Sequence, residues 1–99
     1  MLNKTNNISF QGMSPVQIRR FIPSMFDVDV LALSKKLDQQ LPNDVLEVSK
    51  QNKNQIVHFE MYGNQKLPIR IFNYKGADDI DCKVRFLDDI VDYLSKYVD

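Results

Sequence analysis

The chain has one histidine, His58, and one cysteine, Cys82. His58 lies two residues before Glu60, a spacing that puts both side chains on one face of a strand. A histidine oriented by a carboxylate is a general-base pair, and a thiol near the start of a helix is a candidate nucleophile. No motif surrounds Cys82, however. The simpler reading makes His58 a surface strand residue and Cys82 a small residue in a first helical turn. The acids Asp78, Asp79 and Asp81 are a second chemical candidate, for a divalent cation. A calcium loop needs a glycine inside the turn and a glutamate at its end, whereas here Gly76 precedes the acids and position 89 is aspartate. Capping explains the three acids without a metal, because carboxylates at a helix start accept free N–H groups and favour the positive end of the dipole. Gly12, Gly63 and Gly76 are the only glycines, so no phosphate loop or dinucleotide fingerprint can be assembled. Neither GxSxG nor HExxH occurs. The sequence therefore proposes no catalytic residue, no cofactor and no metal ligand.

Aromatic and apolar side chains carry more information. Between Gln55 and Tyr74 the residues sort by alternation into two strands with two faces. Val57, Phe59 and Met61, then Leu67, Ile69 and Ile71, form the face expected to be buried. Ile56, His58, Glu60 and Tyr62, then Arg70, Phe72 and Tyr74, form the face expected to be wet. Keeping the apolar set together requires Phe59 opposite Ile69 or Ile71, and the second register puts Glu60 opposite Arg70. Rings on a wet sheet face beside Arg70, Lys66 and Lys75 suit the stacking of a single-stranded nucleic acid. The RNP pattern is absent, since the stretch from Ile69 to Tyr74 lacks its glycine, and the isoelectric point near 6.6 is below the range usual for such proteins.

A second surface comes from the C-terminal segment. Ile80, Val84, Leu87, Val91, Leu94 and Val98 form one helical stripe, and Phe86, Ile90, Tyr93 and Tyr97 form another beside it. Together they are wider than a small sheet needs. The edge made by Phe86, Tyr93 and Tyr97, with two hydroxyl-tipped rings, suits a protein interface. A short helix near the N-terminus is the competing cover for it.

These surfaces require an order of elements. Residues 1–7 are polar and expected to fray, and Ile8 to Gln11 suits a short edge strand. Ser14-Pro15 opens a helix carrying Ile18, Phe21 and Ile22 on one face, which Pro23 stops. A second helix, about 25–40, is capped by Ser24 and carries Phe26, Val30, Leu33, Leu37 and Leu41. A strand at Val45 to Ser49, a turn at 51–54, a strand at 55–62 and a turn at 63–65 lead into the third strand. The last helix spans about 80–98. The expected fold is α+β: a three-stranded antiparallel meander with two N-terminal helices and a long C-terminal helix packed on one face.

Ninety-nine residues, 43% hydrophobic and 26% charged, make one globular domain over 1–99. The single cysteine excludes an intramolecular disulfide and favours a reducing, cytoplasmic setting. No apolar run approaches the roughly 20 residues of a membrane span, and Met1 to Phe10 is too polar for a secretory core. Net charge is zero but arranged in blocks: +3 over residues 1–26, −3 over 27–49, +4 over 50–77 and −4 over 78–99. The expectation is a small non-enzymatic protein-binding module of the adaptor, accessory or immunity and antitoxin-inhibitor kind, possible as a homodimer. The alternative is a single-stranded nucleic-acid binder. The residues expected to contact a partner are Tyr62, Arg70, Phe72 and Tyr74 on the sheet and Phe86, Tyr93 and Tyr97 on the last helix.

Overall fold

Capping chemistry starts the first helix where the sequence requires. In the computed structural model, which describes residues 11–51, 56–63 and 66–97, helix α1 (Pro15–Phe21) follows Ser14, whose hydroxyl accepts the Gln17 N–H at 3.3 Å. Proline at the first helical position forfeits no bond. Helix α2 (Asp27–Gln40) starts later than a Ser24 cap would place it. Phe26 is the N-cap and no side chain caps the helix, so Phe26 leaves the expected stripe and is 76% exposed. Val30, Leu33, Leu37 and Leu41 are buried as the periodicity demands. Strands β1 (Val45–Gln51), β2 (Val57–Tyr62) and β3 (Arg70–Tyr74) then form an antiparallel sheet in that order. Helix α3 (Ile80–Tyr97) closes the chain. The architecture is α+β with the order α-α-β-β-β-α. The edge strand expected at Ile8 to Gln11 lies, Gln11 aside, outside the described residues, as do residues 1–7, most of both sheet turns and Val98.

The sheet register corrects the strand faces. Val48 lies opposite Phe59, and Phe59 lies opposite Phe72 rather than Ile69 or Ile71. Glu60 faces Ile71, not Arg70. Arg70, Phe72 and Tyr74 therefore share the inner face with Val57, Phe59 and Met61. Tyr74 is 5% exposed, while Leu67, Ile69 and Ile71 are 75%, 50% and 63% exposed. The reason is volume. Phe21 of α1 meets Phe59 edge-on at 4.8 Å and Tyr74 at 5.2 Å, and Phe86 of α3 lies 5.6 Å from Phe59 and 5.0 Å from Tyr74. Four rings fill the space between sheet and helices, and aromatic rings bury more area than the isoleucines they displace. Burying Tyr74 is tolerable because its hydroxyl donates to the Ala77 carbonyl at 2.6 Å.

Helices α1 and α3 lie on this inner face, and α2 backs onto α1. Buried Ser34 of α2 donates its hydroxyl to the Met13 carbonyl at 2.7 Å. Gly12 passes α2 so closely that a Cβ would stand 2.4 Å from the Leu37 carbonyl oxygen, and its φ of +69° suits glycine. Ser49 is an extra residue in β1 between the Val48 and Lys50 pairings, a bulge that bends the strand. Among the described residues no helix is long and apolar enough to cross a membrane.

Candidate functional site

The ridge Phe86, Asp89, Ile90, Tyr93 follows i, i+3, i+4, i+7 spacing, so α3 presents these four residues as one row. The row faces β3 across a groove of about 540 Å³, whose strand wall is Ile69, Arg70, Ile71 and Phe72. Tyr93 meets Phe72 edge-on with centroids 6.4 Å apart. The Arg70 guanidinium lies 5.6 Å from the Tyr93 ring centre, and its Nη1 is 3.5 Å from the Tyr93 hydroxyl. Because Tyr93 is beside Arg70 and Phe72 while Phe86 is beside Tyr74, α3 runs antiparallel to β3.

Four residues singled out from two separate surfaces thus meet in one place: Arg70, Phe72, Phe86 and Tyr93. Tyr74 is in the core behind them. Tyr62 is on the opposite face of the sheet, where its hydroxyl donates to Glu60 at 2.9 Å. That bond, with desolvation and the charges of Glu60 and Glu47, holds the Tyr62 phenol above its usual range. Tyr97 ends α3. Sequence reasoning missed Ile69, Ile71, Asp89 and Ile90 as groove residues. Asp89 and Ile90 were legible from their spacing to Phe86, but the isoleucines were assigned to the core by the inverted parity.

Two features distinguish the edges of the sheet. At β1, the Leu46 N–H donates to the Gly12 carbonyl at 2.6 Å and the Val48 N–H donates to Gln17 Oε1 at 2.8 Å. The Gly12 N–H in turn bonds the Asp44 carbonyl at 2.7 Å, a parallel bridge that occupies this edge. At β3, no strand and no side chain of the described residues takes that role. The open edge also lacks lysine and proline within Arg70–Tyr74, the usual protections of an exposed strand.

The polar candidates do not assemble. His58 and Glu60 are on the outer sheet face, whereas Cys82 is on α3, which packs against the inner face. The Cys82 thiol donates to Asp79 Oδ2 at 3.3 Å, and this bond, with partial burial and the Asp79 charge, raises its pKa above the ordinary thiol value. That is the opposite of nucleophile activation. Asp79 also caps α3, accepting the Asp81 N–H at 3.3 Å. Asp78 pairs with the buried Lys83 ammonium at 2.6 Å, which holds its carboxyl below the usual range. Among the described residues no three His, Cys, Asp or Glu side chains gather to hold a metal ion.

Comparison with protein-family models, with curated proteins and with solved structures gives no match.

Proposed function

We propose that this chain is a non-enzymatic protein-binding module that captures an extended segment of a partner protein. The segment adds to the open edge of β3 as a fourth strand, and its alternate side chains enter the groove between β3 and α3. One observation carries this reading: the edge that no other described residue occupies is the one that borders the apolar groove. Strand addition draws affinity from main-chain hydrogen bonds and specificity from a pocket beside the edge. The exposed isoleucines Ile69 and Ile71 and the half-exposed Tyr93 ring supply apolar contact on both walls. A cytoplasmic partner and setting fit the lone, unactivated thiol.

The nucleic-acid reading needed Tyr62, Phe72 and Tyr74 on one accessible face. Tyr62 and Phe72 lie on opposite faces and Tyr74 is buried, so no stacking row supports it.

Selection of extended ten-residue peptides from a randomised displayed library tests the proposal. Bound peptide should slow amide hydrogen exchange along β3 and leave β1 unchanged. Tyr93→Asp, at a ring 42% exposed, should abolish binding while the circular dichroism spectrum and Tm persist. Recovery of no peptide, or peptide binding that protects β1 and ignores Tyr93→Asp, would refute it. So would preferential binding of a random single-stranded oligonucleotide at physiological salt.

A further inference from the structure

Two charges line the groove and neither is neutralised from within the described residues. Arg70 rests against the Tyr93 ring, with no carboxylate of the described residues in ion-pair range. The Asp89 carboxylate, exposed on the helix rim, makes no ion pair with any described residue. Arg85 lies one helical turn before it and is not bonded to it. The geometry points to a zwitterionic partner strand: an acidic side chain for Arg70 and a basic one for Asp89, two residues apart on the face turned to the groove. This rests on the strand-capture reading above.

Spacing sets the pattern. Asp89 precedes Tyr93 by four residues, about 6 Å along the helix axis, and Arg70 is level with Tyr93. Because α3 runs antiparallel to β3, Asp89 lies toward the Tyr74 end of the groove. The two charges are thus separated along the groove by about one two-residue strand repeat, roughly 6.6 Å. Phe72, Phe86 and Ile90 supply the apolar floor of the same groove. On an added strand, side chains at i, i+2 and i+4 face the groove. An acid at one of these positions meets Arg70, and a basic side chain two residues away meets Asp89. The two opposite charges also fix the direction in which the segment lies.

Peptide selection on three proteins tests the rule. The natural chain should enrich segments with one acid and one base at two-residue spacing. Asp89→Lys should shift enrichment to two acids, and Arg70→Glu to two bases. Measured on individual peptides by fluorescence anisotropy, each matched pair should bind about fivefold to tenfold more tightly than its mismatched counterpart, with the gap narrowing at high salt. Enriched peptides without the charge pattern, or a pattern unchanged by the two substitutions, would overturn this inference while strand capture stood. Recovery of no peptide on any of the three, or a dimer by sedimentation whose dissociation is needed before peptide binds, would overturn it together with strand capture.

Discussion

Lys83 shows how much a single side chain can settle. It was not assigned to the core, yet it is 6% exposed. Its ammonium donates to the Phe21 carbonyl at the end of α1 at 2.9 Å, pairs with Asp78, and lies 5.4 Å from the centre of the Phe21 ring. A cation at a helix C-terminus satisfies a free carbonyl and the negative end of the dipole. Lys83→Met should therefore cost about 1–3 kcal/mol in urea denaturation, because it leaves a buried carbonyl unbonded. The Asp78 carboxyl, lowered by Lys83, gives a pH signature. Its contribution is complete above the ordinary carboxylate pKa, about 4, and disappears as pH falls through the lower folded value. Asp78→Asn should flatten the acid side of the stability profile. Cys82 should alkylate slowly with iodoacetamide at neutral pH, and faster in Asp79→Asn, where the raising charge is gone.

At the scale of elements, helices and strands were readable because capping and periodicity are local properties. Ser14-Pro15, the Val30–Leu33–Leu37–Leu41 stripe and the long final helix follow from neighbours in sequence. The faces of β3 were not readable in the same way. Leu67, Ile69 and Ile71 alternate as convincingly as Arg70, Phe72 and Tyr74, and the choice between them is made by Phe21 and Phe86, which come from distant segments. The groove was half legible for the same reason: its helix wall follows from i, i+3, i+4 spacing, whereas its strand wall depends on that choice. Tyr74→Phe should cost about 0.5–1.5 kcal/mol by losing the bond to Ala77, with the ring cluster intact. Leu94, 5% exposed on α3, should cost about 2–5 kcal/mol when replaced by alanine. Chemical denaturation measures both, and a cost below roughly 1 kcal/mol for Leu94→Ala would make α3 peripheral.

At the scale of the molecule, the alternating charge blocks are drawn together in part by folding. Arg19 of the first block pairs with Asp27 of the second, and Lys36 pairs with Asp88 across α2 and α3 at 3.3 Å. All four side chains are substantially exposed, so each pair contributes at most about 1 kcal/mol and weakens with salt. Alkaline behaviour is set elsewhere. The Tyr74 phenol is raised chiefly by burial, and then by the charges of Cys82, Asp79 and Asp78. A group whose pKa is raised on folding stabilises the fold below its unfolded value and loses that contribution as pH climbs through the folded one. Thermal unfolding followed by circular dichroism should show Tm falling above about pH 10, and less steeply in Tyr74→Phe.

The occupied edge of β1 also sets how many neighbours this sheet can acquire. A sheet open on both sides is bifunctional, so each joined copy exposes a fresh end and growth continues into a fibre. Here Gly12 and Gln17 terminate one end. The sheet is monofunctional: whatever strand docks on β3, be it a partner's or that of a crowded second copy, the reaction stops after one addition. Concentrated protein that errs through this sheet should therefore stop at a discrete pair, and opening the capped side with Gln17→Ala is where chain growth should first become detectable by light scattering.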